Sequence, residues 1–134
     1  MSTSRTKSRT DAMKILYQIN LYRKNKINYS VEDIIQNNNI DNEFTLELIN
    51  GVLDKEEELN ILANKYLNNW NISRLGLTDA AIIRIALYEL LYTDTPSKVI
   101  INEAIELSKN YSDEKVVKMI NGMLDKVYHN ECNK

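Results

Sequence analysis

The sequence predicts an all-α fold of two similar three-helix bundle subdomains that pack as one compact domain. Apolar residues recur at helical spacing in nearly every segment, as at Ala12, Ile15, Leu16 and Ile19. The 134 residues include one proline and three glycines, which favours long helices over a many-turned β architecture. A near-identical heptapeptide also occurs twice, as INGVLDK at 49–55 and INGMLDK at 120–126.

The first half begins with a helix whose N-cap is either Ser8 or, one turn earlier, Ser4. The polar stretch NKINYS is typical of a loop, and Ser30 is placed to cap a short second helix. Asp41 is expected to cap the third helix. This half covers about residues 10–55.

A linking helix is predicted over about 56–79. The apolar face of the third helix continues as far as Trp70, and we expect either one long helix or a break between Asp54 and Glu58. The stretch NISRLGLTD then interrupts the helical pattern, with Thr78 or Asp79 as the next cap.

The second half, about 80–127, contains a strongly apolar helix, DAAIIRIALYELLY, which we expect at the centre of the core. A further helix, VIINEAIELSK, and a last helix capped by Ser112 follow, and the tail HNECNK is expected to be loosely held. A shift of 71 residues, with no gap, pairs similar residues of the two halves: Leu16 with Leu87, Tyr17 with Tyr88, Asp41 with Ser112, and Glu43 with Glu114. The repeat therefore indicates two similar structural units.

Each copy of the heptapeptide contains a glycine, Gly51 or Gly122. Glycine inside a helix costs about 1 kcal/mol relative to alanine. It is retained either because a neighbouring helix approaches closely or because a ligand does. We expect packing in both copies.

The composition offers little for catalysis. One histidine, one cysteine and no phosphate-cradling glycine loop predict a binding or scaffolding protein with no enzymatic activity, no metal and no cofactor. No apolar run approaches the roughly 20 residues of a membrane span, and the N-terminus lacks the apolar centre of a signal peptide. We therefore expect a soluble cytoplasmic protein.

Positive charge is concentrated at the start of the chain. Residues 1–14 carry a net charge of +3, from Arg5, Lys7, Arg9 and Lys14 against Asp11. Cations at a helix N-terminus are unfavourable for stability, but together with free backbone N–H groups they suit phosphates. The alternative is a solvated, frayed terminus.

A second basic stripe is predicted on the last helix, where Lys115, Lys118 and Lys126 share a face with Gly122, bordered by Met119 and Asn121. An ordinary solvated helix face is the alternative. Two such regions on one small chain favour nucleic acid as the ligand, and RNA over duplex DNA because no helix is an obvious major-groove reader.

Four blocks of the sequence resemble the NusB transcription antitermination family in the family's order: SRTKSRTDAMKILYQ, WNISRLGLTDAAIIRIALYELL, TPSKVIINEAIELSK and VVKMINGMLDKV. The resemblance covers nearly the whole chain. It implies an all-α fold of two three-helix subdomains. It also implies binding of boxA RNA together with NusE, a small ribosomal-subunit protein, in complexes that keep RNA polymerase transcribing ribosomal RNA operons.

The resemblance also implies site residues. Arg5, Lys7 and Arg9 correspond to the family's arginine-rich start, which contacts the RNA backbone, and replacing both arginines is expected to weaken RNA binding without lowering stability. Met119 stands where the family usually has phenylalanine, so it packs against a base rather than stacking on it. The RNA-binding set is thus Arg5, Lys7, Arg9, Lys14, Lys115, Lys118, Met119 and Asn121, and the NusE-facing set is Tyr17, Leu21 and Asp79.

Other readings stay open at this point. The chain is alternatively a protein-only helical adaptor, or a stand-alone relative of the helical module found at the N-terminus of certain RNA methyltransferases. Apolar surface used by NusE would equally support a homodimer. Tyr17 would equally serve as a core residue, and Asp79 as a simple helix cap.

Overall fold

The computed structural model describes residues 4–134, and this part of the chain contains α-helices, one short 3₁₀ helix and no strand. The predicted all-α class is confirmed. The helices are α1 Arg5–Lys24, α2 Val31–Asn37, α3 Glu43–Asp54, α4 Glu56–Tyr66, the 3₁₀ helix Ile72–Arg74, α5 Leu77–Tyr92, α6 Ser97–Tyr111 and α7 Glu114–Glu131.

The two predicted three-helix subdomains correspond to α1–α3 and α5–α7. Helices α3 and α7 begin at Glu43 and Glu114, which are paired by the 71-residue shift of the sequence repeat. The middle helices differ more, since α2 has 7 residues and α6 has 15. The halves therefore agree in the order of their helices and in where the third helix begins, but they differ in helix length.

Helix α5 lies at the centre of the core, as its all-round apolar sequence predicts. Every residue from Ala80 to Leu87 is buried, and α5 packs against α1, α3, α4, α6 and α7. Leu59 and Ala63 of the linking helix α4 are fully buried in the same apolar cluster. Both halves and the link therefore share one continuous core.

Two of the predicted helix caps are found. Ser4 caps α1 by accepting a hydrogen bond from the Lys7 backbone N–H, and Ser30 caps α2 in the same way. Three other caps lie one to three residues from the expected positions: Asn42 rather than Asp41, Asp113 rather than Ser112, and Gly76 rather than Thr78 or Asp79. Asn42 and Asp113 accept hydrogen bonds from the backbone N–H groups of Thr45 and Val116, whereas α5 begins at Gly76 without a side-chain cap.

The expected break in the third helix occurs at Lys55, between α3 and α4. Helix α4 then ends at Tyr66, and Asn68 adopts the left-handed conformation with φ of 52°. The prediction that the apolar face continues to Trp70 is wrong, because Trp70 lies outside the helix and is 36% exposed. Asparagine is among the few residues that adopt this conformation at low cost, so it reverses the chain at the helix end.

The two repeated glycines have different surroundings. A Cβ atom on Gly51 would lie 2.2 Å from Cζ of Tyr88, so Gly51 permits the close approach of α5 as predicted. A Cβ atom on Gly122 would have no neighbour within 4 Å. The prediction of a packing role is therefore confirmed for Gly51 and wrong for Gly122.

The C-terminal tail is held in place, contrary to expectation. Glu131, the last residue of α7, accepts a 2.8 Å hydrogen bond from Lys65 Nζ. The Cys132 thiol donates to the Leu90 carbonyl, and Lys134 Nζ donates to the carbonyls of Glu89 and Thr95. The tail thus donates hydrogen bonds to backbone carbonyls in the last turn of α5 and in the loop that follows it.

Candidate nucleic-acid interface

The start of α1 is fastened to the core by a buried ion network. Arg9 donates from Nε and Nη2 to the two carboxylate oxygens of Glu89 at 2.7 and 2.8 Å, and from Nη1 to Glu103 at 3.2 Å. Thr6 Oγ1 donates to the same Glu103 oxygen at 2.6 Å. Arg9 is 4% exposed and Glu89 1% exposed.

Burial opposes the charge on Arg9, but the hydrogen bonds and negative charge of Glu89, with Glu103, outweigh it and raise the pKa of Arg9. A guanidinium paired in this way on both edges is not available to phosphates. The burial and pairing of Arg9 argue against the expected contact with RNA, and they lead us to expect that removing Arg9 lowers stability. A bidentate pair in the interior is a structural element of the fold.

The other predicted cations of α1 are exposed. The Arg5 guanidinium lies 4.3 Å from the centre of the Phe44 ring, beside a groove of about 500 Å³ that includes the Tyr92–Pro96 segment. Lys7 forms an exposed ion pair with Asp11 at 2.8 Å, and such pairs are weak enough to exchange partners. Lys14 is exposed and lies in no ion pair within residues 4–134.

A second groove, of about 410 Å³, runs between α7 and the segment that joins α4 to the 3₁₀ helix. The structure brings two predicted residues of the set, Lys118 and Met119, into this groove together with Gly122 and Lys126. Its opposite wall is the segment from Tyr66 to Trp70. Asn121 is exposed but lies outside the groove lining.

Trp70 joins the remaining predicted lysine to this groove. Lys115 Nζ lies 5.5 Å from the centre of the indole ring, within the range of a cation–π contact. Leu67 and Ile72, on either side of Trp70 in the chain, are buried in the core. The backbone N–H of Trp70 donates a hydrogen bond of 2.9 Å to the Leu67 carbonyl. Reasoning from the sequence missed Trp70 as a site residue, although the preceding Asn68–Asn69 pair is a helix-stop signal.

Positive charge lies along the α7 side of the groove. The Lys118 side chain is 79% exposed, and its Nζ lies 3.8 Å from a carboxylate oxygen of the similarly exposed Glu114. Lys115 and Lys126 are exposed and form no ion pair among the described residues. Met119 is half-buried and packs partly on the core. A partly apolar wall next to exposed lysines suits a ligand that has both flat rings and phosphates.

The residues expected to face NusE lie on α1 and α5. Tyr17 and Leu21 are one turn apart on α1, and Tyr17 is 38% exposed, so it is not a core residue. Asp79 lies in the first turn of α5 and accepts a hydrogen bond from the Ser112 hydroxyl. Asp79 thus links the start of α5 to the connection between α6 and α7.

Within residues 4–134 no group of three or more histidine, cysteine, aspartate or glutamate side chains is arranged to hold a metal ion. None of the helices described there has the length and apolar character that spanning a membrane requires. The fold and site together define a small all-helical protein that exposes lysine side chains and a tryptophan ring along one groove.

The comparisons with known proteins identify the family. The NusB family pattern matches residues 6–129. The chain is 42% identical over 133 residues to the transcription antitermination protein NusB of Macrococcus caseolyticus, covering 96% of this chain and 99% of that protein. It is 41% identical over 126 residues to the Staphylococcus aureus protein of the same name, covering 92% and 98%. The chain therefore belongs to the NusB family.

Solved structures agree with this assignment. The T. maritima NusB structure superposes with a TM-score of 0.85 at 30% identity, covering 99% of this chain and 96% of that chain. A chain in the complex of antitermination factors NusB and NusE with double-stranded RNA superposes with a TM-score of 0.77, covering 93% of this chain and 96% of that chain. Its identity is 24%, so that likeness concerns the fold.

Proposed function

We propose that this chain is a transcription antitermination factor that binds boxA-type single-stranded RNA together with NusE. It acts in the cytoplasm by binding rather than by catalysis, within complexes that keep RNA polymerase transcribing ribosomal RNA operons. Membership of the NusB family supports this function over a protein-only adaptor or a relative of a methyltransferase module.

The observation that carries the proposal is the groove beside α7. It combines exposed lysines with an exposed tryptophan and a half-buried methionine, which is the combination that single-stranded nucleic acids require: cations for the backbone and flat or soft apolar surface for the bases. Lys118 and Met119 take part as the sequence indicates, and Lys115 acts next to Trp70.

The start of α1 supplies a second contact region, made by Arg5, Lys7 and Lys14. Arg5 lies beside the segment that follows α5, whereas Lys115 and Trp70 lie near the segment that precedes it. The 16 residues of α5 span about 24 Å at 1.5 Å per residue. An RNA that contacts both regions is therefore long enough to cover that distance, and truncated RNAs should lose affinity when they no longer reach.

The face of α1 that carries Tyr17 and Leu21 is proposed for NusE, with Asp79 as a further contact. The exposure of Tyr17 supports this role. The Asp79 carboxylate already accepts a hydrogen bond from the Ser112 hydroxyl. A partner that binds Asp79 therefore either shares this carboxylate with Ser112 or displaces the serine hydroxyl from it. A homodimer through the same face is the competing use of this surface.

The test is a salt titration of binding to a boxA-type RNA, with and without NusE. With three or four phosphates neutralised, log K against log salt should have a slope of about −2 to −3 at the usual single-strand coefficient. A scrambled RNA of equal length controls for sequence, and sedimentation of the free protein distinguishes a monomer from a homodimer. Absence of binding at low salt with NusE present would overturn the proposal.

A further inference from the structure

Gly122 is a costly residue that the packing of the fold does not explain. It lies in the middle of α7, where glycine destabilises a helix by about 1 kcal/mol relative to alanine. At Gly51, the equivalent position, Tyr88 occupies the space that a side chain would need, but at Gly122 that space is open. The open space is the groove shared with Trp70 and Lys118.

We propose that this groove holds one unpaired RNA nucleotide, whose base stacks on the indole of Trp70 while its backbone passes over Gly122. This inference rests on the proposed RNA-binding function and deepens it, because it assigns a base-binding residue, Trp70, and a reason for Gly122. The absence of a Cβ atom leaves the α7 backbone exposed at the groove floor, which permits a ligand to approach closely.

Trp70 is suited to be a stacking platform. It is exposed although it is the largest apolar side chain of the sequence, and its neighbours in the chain, Leu67 and Ile72, are 2% and 3% exposed. The Asn71 side chain accepts hydrogen bonds from the backbone N–H and hydroxyl of Ser73, which further restrains the turn. A rigid, exposed ring loses little conformational freedom when a base stacks on it.

The charges around the groove select a nucleotide over an uncharged aromatic ligand. Lys115 approaches the indole, and Lys118 and Lys126 line the groove itself. A phosphate attached to a base on Trp70 thus meets cations on the adjacent turns of α7. The groove volume of about 410 Å³ lies within the range of roughly 300–1,000 Å³ typical of small-ligand sites.

The experiment uses the full chain with NusE and a fluorescein-labelled boxA-type RNA, read by anisotropy. Trp70→Ala should weaken binding roughly 5- to 150-fold, the effect of losing one base–aromatic stack, whereas Trp70→Phe retains most of the affinity. Tyr29→Ala is the matched control, because Tyr29 is 37% exposed and lies outside the groove. Since Trp70 is the single tryptophan of the sequence, unlabelled RNA should also quench the intrinsic fluorescence.

Gly122→Ala provides a second, independent test. It should raise the melting temperature, because alanine favours the helix, while it weakens RNA binding roughly tenfold, as one misplaced methylene does in a binding pocket. A merely structural role would change stability and affinity in the same direction.

The outcomes separate the two proposals. If wild-type protein with NusE does not bind the RNA, the proposed function fails, and this inference with it. If the wild type binds but Trp70→Ala and Gly122→Ala bind equally well and the fluorescence is unchanged, the function stands and the nucleotide site is refuted.

Discussion

The repeated heptapeptide offers a comparison in which one substitution is made twice in nearly the same local sequence. We predict that glycine to alanine has opposite effects on stability at Gly51 and Gly122. Both residues lie within helices and are followed by near-identical residues, so the intrinsic helix gain is similar, although Gly51 lies in the last turn of α3 and Gly122 in the middle of α7. The difference between the two variants then reports mainly tertiary packing.

The expected gain at Gly122 is the full difference in helix propensity. A Cβ atom there contacts nothing within 4 Å, so no packing term opposes it. Alanine should raise the free energy of unfolding by about 1 kcal/mol. For a chain of this length that corresponds to an increase of roughly 3–5 °C in the melting temperature.

The expected effect at Gly51 has the opposite sign. The new Cβ atom would lie 2.2 and 2.3 Å from two ring carbons of Tyr88, whereas carbon atoms in contact are ordinarily about 3.5–4.0 Å apart. The ring or the helix must move by more than an ångström, and overpacking of this kind costs about 1–3 kcal/mol. The two alanine variants should therefore differ by about 1–3 kcal/mol in stability.

The assay is thermal and urea unfolding of both variants, followed by circular dichroism. Gly51→Ala is also measured in a Tyr88→Ala background, where the ring is absent and the alanine should again stabilise. The coupling between positions 51 and 88 in this double-mutant cycle gives the packing term directly. Equal stabilisation by alanine at both glycines of the wild-type chain would refute the reasoning.

Three further effects are expected. Arg9→Ala should lower the free energy of unfolding by about 3–5 kcal/mol, because it leaves the Glu89 carboxylate charged and buried, whereas Arg5→Ala should change urea unfolding by less than about 1 kcal/mol. Asn42→Ala should cost about 1 kcal/mol in the same assay, since its side chain caps α3. Hydrogen bonds from Lys65 and Tyr66 lower the pKa of Glu131 in the folded protein. The ionised Glu131 therefore stabilises the fold at pH values above its unfolded pKa, near 4.3, and this stabilisation is lost as the pH falls through the folded pKa. The melting temperatures of wild type and Glu131→Gln should accordingly differ at neutral pH and converge in acid, and a constant difference would contradict this.

Local sequence patterns predicted the elements of the fold well. Helical periodicity and two serine caps place α1 and α2, and the 71-residue shift places the starts of α3 and α7 in register. These features depend on residues within a few positions of one another. The break at Lys55 is predictable in the same way, since the apolar pattern is lost locally there.

The candidate site was harder to predict because its residues depend on distant neighbours. Arg9 has the sequence context of a solvent-facing cation, and only its partners on α5 and α6 make it a buried residue. Gly51 and Gly122 have nearly the same local sequence but differ in what lies opposite. Trp70 continues an apolar spacing that the left-handed Asn68 has already ended. Each misassignment reflects tertiary context that local spacing does not contain.

The partners of Arg9 also bear on how the chain folds while it is being synthesised. Glu89 and Glu103 lie 80 and 94 residues further along the chain, so they do not exist when the first helix leaves the ribosome. At about 5–20 residues per second, Glu89 is added roughly 4–16 s after Arg9. Until then the nascent first half carries an unpaired guanidinium on the face that should become interior. We therefore expect the core around Arg9 to close only after α5 and most of α6 have been synthesised.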